Sequence, residues 1–145
     1  MSDADSPHPA ETLDGVSTVE VRTSASAALI PTIRAVASDL AARADFDLDA
    51  ITDLRMAVDE ACATLVDVAA PRSELQCTFL VRIDGIEVRA QVRAGAPGAV
   101  VSTDTFGWRV LQTLADEVSV LTVPDDGGAP VVGIRLDKLA GDPPR

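Results

Sequence analysis

The stretch LRMAVDEACATLV, Leu54 to Val66, places apolar side chains at Leu54, Val58, Ala61, Leu65 and, just beyond, at Val68. Spacings of three and four put them on one stripe of an amphipathic helix. Asp59 and Glu60 stand side by side within it. Asp53, Glu60, Thr64 and Asp67 follow at offsets of seven, four and three, so they share a second face. Periodicity alone reads that face as solvated and polar. Whether Glu60 is instead a working carboxylate depends on what the rest of the chain brings to it.

Working outward, the stretch DFDLD at 45–49 offers caps for this helix, which is predicted over about Ile51–Ala70 and ends at Pro71. Upstream, Leu29, Ile33, Val36 and Leu40 mark another helix, with Ser26 as cap and Pro31 in the first turn, where N–H groups lack intrahelical partners. Before it, Val16–Thr23 alternates as a strand. Downstream, Leu75–Ile83 and Ile86–Val92 alternate on either side of Asp84-Gly85, a hairpin signal in which both turn residues are expected at positive φ. A loop of small residues, AGAPGAVVSTDT, leads to a third helix over about Asp104–Asp116, with Val110, Leu111 and Leu114 as core candidates. VSVLTV and PVVGIRL close the chain as a second hairpin around PDDGGA. The order β-α-α-β-β-α-β-β predicts an α/β two-layer sandwich, its mixed, mostly antiparallel sheet carrying the helices on one face.

The 145 residues suffice for one domain, expected over 15–138, with an acidic disordered arm at 1–14 and a flexible tail at 139–145. The arm reads as neither signal peptide nor anchor, and no apolar run approaches the ~20 residues that span a bilayer. A formal net charge of −11 and few aromatic residues argue against nucleic acid as a partner. Cys62 and Cys77 fall in apolar periodic segments and read as reduced core thiols of a cytoplasmic protein. His8 lies in the arm, so no Ser-His-Asp or Cys-His set can be assembled, and metal ligation by His or Cys is unsupported.

The combination is more informative than its parts. LRMAVDEACATL resembles the helix carrying the E-x-x-x-N box of the GHKL (Bergerat-fold, histidine kinase-like) ATPases, and specifically the anti-sigma factor serine kinases of the RsbW and SpoIIAB type. DTFGWRVLQTLADEVSV resembles the second glycine box and the elements after it, and the order of elements from Val16 to Leu136 is similar throughout. The likeness extends to the actinobacterial RsbW branch. The resemblance implies Glu60 as the catalytic carboxylate and Thr64 at the position of the Mg²⁺-binding Asn, where a hydroxyl replaces an amide carbonyl. It places Ala94 where an Asp normally accepts the adenine amino group. Gly98 matches a glycine of the first box, Thr105 replaces the first glycine of the second box, and Gly107 matches its second. With three nucleotide-contacting positions replaced, ATP and Mg²⁺ are expected to bind weakly or not at all.

The family's biology implies an anti-sigma factor that sequesters an alternative sigma factor in the stress response, is released by a STAS-type anti-anti-sigma factor, and works as a homodimer. An acidic surface suits a basic partner. The alternative is an active ATP-dependent serine kinase acting on the anti-anti-sigma protein, with Glu60 as base. A third reading, the ATP-binding domain of a histidine kinase, is disfavoured because no phospho-accepting helix pair is expected in a chain of this length.

Overall fold

The computed structural model describes residues 16–125 and 127–141. The arm at 1–14, with His8, lies outside the described residues. The elements are β1 (Ser17–Ser24), a 3₁₀ turn (Ala27–Leu29), α1 (Ile30–Arg43), α2 (Leu48–Val68), β2 (Glu74–Val81), β3 (Gly85–Arg93), α3 (Phe106–Leu114), β4 (Glu117–Val123) and β5 (Val131–Leu139). The strands form one sheet in the order β1-β2-β3-β5-β4, and each of its four pairings is antiparallel. Both predicted hairpins are present, and the sheet has no parallel pair, so "mixed" resolves to antiparallel throughout.

Alternation decides which face is covered. Leu75, Cys77, Phe79 and Val81 of β2, Val88, Ala90 and Val92 of β3, and Val132, Ile134 and Leu136 of β5 are buried against the helices. The helices answer with Ile33, Ala37, Leu40 and Ala41 from α1, Leu54, Ala57, Val58, Ala61, Cys62 and Leu65 from α2, and Trp108 and Leu111 from α3. The other face of the sheet carries no helix among the described residues. Cys62 and Cys77 are free buried thiols whose sulfurs lie 3.9 Å apart between α2 and β2. The hydrogen bond with Cys77 and burial push the Cys62 thiol far above its ordinary value.

Several boundaries differ from the sequence reading; α3 runs Phe106–Leu114 instead of Asp104–Asp116, because Thr105 caps it. Helix α2 starts earlier, at Leu48, because the Asp47 carboxylate caps it, accepting from Ala50 N at 2.7 Å. It stops at Val68, before the residue whose helical conformation Pro71 would disfavour, and Ala69 bridges to Ala94 instead. Leu139, placed in the tail by the sequence, ends β5, and the Ala140 N–H donates to Asp84 O.

The first hairpin forms, but its turn is not the one that Asp-Gly suggested. Neither Asp84 nor Gly85 has a positive φ. The Arg82 N–H donates to Gly85 O, and Val81 pairs with Ile86, so Arg82 faces Gly85 and the turn is centred on Ile83-Asp84, one residue earlier than expected. Gly85 already belongs to β3 and pairs with Leu139, where a Cβ would stand 2.8 Å from Lys138 O. Close approach between β3 and β5, rather than turn geometry, requires the glycine.

Candidate functional site

Helix α2 presents Glu60 and Thr64 one turn apart, both half-buried. The Thr64 hydroxyl donates to Glu60 Oε2 at 3.3 Å. Asp59, on the neighbouring face, accepts from Arg34 of α1 at 2.9 Å. Asp53 is engaged elsewhere, with Lys138 of β5 at 3.2 Å, and that ammonium also donates to Leu114 O at 2.9 Å. The common face read from the sequence therefore divides: its first member ties α2 to the sheet, and Glu60 and Thr64 form a pair.

Over this pair stands the first turn of α3. Thr105 is its cap, the hydroxyl accepting from Trp108 N at 3.0 Å, which explains the residue type in terms of helix initiation. Gly107 follows in that turn, and a Cβ there would fall inside van der Waals contact of Glu60 Oε2. The glycine thus gives the carboxylate its room. A carboxylate beside the first turn of a helix is also favoured by the partial positive charge of unpaired N–H groups.

Ala94 lies elsewhere in character. It is 1% exposed, its N–H donates to Pro130 O, and it forms the bridge to Ala69, so its methyl belongs to the core. Gly98 adopts φ +77° and lines a shallow hollow of about 260 Å³ with Val100, Thr122 and Pro124. Glu60 lines a different hollow of about 310 Å³ with Met56, Asp59, Ala63 and Val110. The six positions named from sequence are therefore gathered in part: Thr64 and Gly107 lie against Glu60, Thr105 caps the helix above them, and Ala94 and Gly98 do not line the hollow beside Glu60. Trp108, which the sequence left between core and pocket, is core.

The residue at position 94 does not fit recognition of the adenine of a purine nucleotide. The buried methyl of Ala94 offers no acceptor for an exocyclic amine, and the hollows beside Gly98 and Glu60 are lined by different residues. Among the described residues, no group of three or more His, Cys, Asp or Glu side chains could hold a metal ion.

Sequence reasoning passed over the most heavily engaged carboxylate. Glu87, on the uncovered face of β3, is 4% exposed. It accepts from Arg82 and Arg89, each at 3.2 Å, and from Arg135 of β5, which also pairs with Asp137. Burial pushes the Glu87 carboxyl up, but hydrogen bonds from Arg135 and Arg89, together with their charges, outweigh it and hold the group below its ordinary value. The same contact raises Arg135. The available signal was the alternation R-x-D in β5 against E-x-R in β3, which becomes informative only once the two strands are known to pair.

The fold and the helix that carries Glu60 define a class. Residues 23–132 match the histidine kinase-like ATPase domain family. The chain is also 34% identical over 125 residues, 84% of its own length and 73% of theirs, to the anti-sigma-F factor RsbW of two Mycobacterium tuberculosis strains, CDC 1551 / Oshkosh and ATCC 25618 / H37Rv. The chain belongs to the histidine kinase-like ATPase family, within its RsbW-type group. Among the described residues, no helix is long and apolar enough to cross a membrane.

Proposed function

We propose that this chain is a cytoplasmic anti-sigma factor that holds an alternative sigma factor by direct stoichiometric binding. It acts as a homodimer and releases its partner when a STAS-type anti-anti-sigma protein competes for it, in a stress response. The observation that carries the reading is the 34% identity to RsbW over 84% of the chain. The net charge of −11 supports capture of a basic partner surface, since complementary charge accelerates encounter.

In this reading ATP and Mg²⁺ are held weakly or not at all. Loss of a matched, buried hydrogen bond to adenine costs on the order of 2–4 kcal/mol of selectivity. Phosphoryl transfer relies on positioning and charge neutralisation, so Glu60 without a placed phosphate has little to act on. Co-purification with candidate sigma factors, with and without ATP and Mg²⁺, tests the binding role; the expected result is capture independent of nucleotide. Calorimetry with ATP and GTP tests the site. Weak binding with little preference is expected, whereas Mg²⁺-dependent ATP binding with a hundredfold preference over GTP, about 2.7 kcal/mol, would favour the active serine kinase.

A further inference from the structure

Strand β4 pairs with β5 on one side, and no strand lies beyond it among the described residues. The hydrogen bonds of its neighbours fix which of its residues face outward. The Ala94 N–H donates to Pro130 O, so by alternation the even-numbered residues of β5 bond to β3 and its odd-numbered residues bond to β4. In the register of β4 with β5, Glu117, Ser119, Leu121 and Val123 therefore bond inward, and Val118, Val120 and Thr122 turn their N–H and C=O groups to the open edge. Among the described residues no hydrogen bond reaches those outward groups. The open stretch has defined ends: Pro124 has no N–H to offer, and the Asp116 N–H is engaged by Asp137 O.

Charge or proline commonly blunts an edge of this kind. Between its ends β4 carries neither: VSVLTV is uncharged and rich in β-branched residues. Val118 and Val120 pack against the helix-covered core. On the opposite face Val123 is 58% exposed, and Leu121 stands beside Gly133, which adds no side chain. A strand laid along this edge thus meets apolar surface on both of its faces. The ends are of one sign, since residues 113–125 hold Asp116, Glu117 and Asp125 and no cation. Arg135 and Arg93 approach Glu117 and Asp125, yet those side chains stay 72% and 50% exposed.

Charge then decides among occupants. A second copy running antiparallel and centred on Val120 sets Glu117 diagonal to Asp125 of the copy at both ends, and one running parallel sets each carboxylate close to its own counterpart. Like charges so placed destabilise a sheet, and each copy carries a net −11. A foreign strand with basic ends meets attraction where a copy meets repulsion. We propose that the β4 edge takes up an extended segment of another protein, about seven residues long, apolar or β-branched along its middle and bearing lysine or arginine at both ends. Main-chain hydrogen bonds to Val118, Val120 and Thr122 supply the affinity, and Glu117 and Asp125 select the basic ends. The contact needs neither nucleotide nor a second copy of the chain.

The probe is a capped heptapeptide with arginine at each end and valine and threonine alternating between them; the same peptide ended in glutamate is its control. Added to the full chain, the arginine-ended peptide should slow hydrogen exchange at the Val118, Val120 and Thr122 amides, read residue by residue by NMR, whereas the Ser119, Leu121 and Val123 amides are protected before it is added. The glutamate-ended peptide should bind about tenfold more weakly. Thr122→Pro removes one outward N–H at a place where an edge strand tolerates proline, and should weaken the arginine-ended peptide about tenfold with the circular dichroism unchanged. Glu117→Arg changes a side chain that is mostly in solvent and should narrow the preference for arginine ends about threefold or more. Equal binding of the two peptides overturns the basic-ended partner. Protection at any strand other than β4, or none at millimolar peptide, overturns the edge as the surface. Sedimentation equilibrium covers the remaining occupant: self-association of the wild-type chain that Thr122→Pro abolishes would assign the edge to a second copy and overturn the foreign strand.

Discussion

Glu60 and Glu87 lie on opposite layers of the same small domain and are held in very different ways. Glu60 is the carboxylate that the resemblance reads as catalytic, yet among the described residues its one side-chain hydrogen bond is a 3.3 Å contact with Thr64. Glu87 occupies a position without a role in the family reading, yet three arginines converge on it and it is nearly removed from solvent. The electrostatic investment of this chain is in the uncovered sheet face. In the helix layer the positions named from sequence serve local structure: Thr105 as a cap, Ala94 as core, Thr64 as a neighbour of Glu60.

The largest expected effect breaks the Glu87 side of the contrast. Glu87→Ala removes the centre of the cluster and leaves three guanidinium groups close together. Chemical denaturation should show a loss of about 2–3 kcal/mol, short of the roughly 3–5 kcal/mol of a fully buried pair because the arginines keep part of their hydration. The pH dependence follows from the sign of the shift. The folded carboxyl titrates below its ordinary 4.5, so its stabilisation is complete above that value and is lost as pH falls through the lower folded value. Unfolding followed below about pH 4.5 should show a smaller loss of stability on acidification in Glu87→Gln than in the wild type.

A smaller effect sharpens the Glu60 side. Gly107→Ala forces the Glu60 carboxylate to move, and should cost about 1 kcal/mol against the wild-type background. With Glu60→Ala in place, the same substitution meets no carboxylate and should stabilise by up to about 1 kcal/mol, since Ala is the better helix former. A double-mutant cycle on melting curves reads the change of sign directly; additive costs would show that Gly107 serves something other than room for Glu60.

The smallest expected effect is that of Glu60→Ala alone. Truncating a half-exposed helix residue with one long hydrogen bond should leave stability within about 0.5 kcal/mol and sigma affinity unchanged. Loss of sigma capture by a folded Glu60→Ala protein would place the binding surface at this carboxylate and overturn its separation from partner recognition.

How far the sequence reaches is clearest at α2 and at the hairpin after it. The 3.6-residue period of Leu54, Val58, Ala61 and Leu65 is a local property, so it announces both a helix and its buried side. Alternation in β2 and β3 does the same for the sheet, and the helix, strand and loop order follows. Local signals misled where a residue has two uses. Asp84-Gly85 favours a tight turn centred on itself, but Gly85 is needed for the approach of β5, and the turn falls one residue earlier, on Ile83-Asp84.

Sequence by itself therefore determined the order of elements and the apolar faces, because each is written in neighbours three or four positions apart or alternating. Tertiary structure alone decided what those residues touch. Glu87 and Arg135 are 48 positions apart and meet only through the pairing of β3 with β5. Asp53 and Lys138 are 85 apart and meet only when α2 lies across the end of β5. Glu60 and Gly107 come together only when α3 packs on α2. Each contact depends on where a distant segment returns, and that is fixed by burial of the shared core rather than by any pattern local to the residues involved.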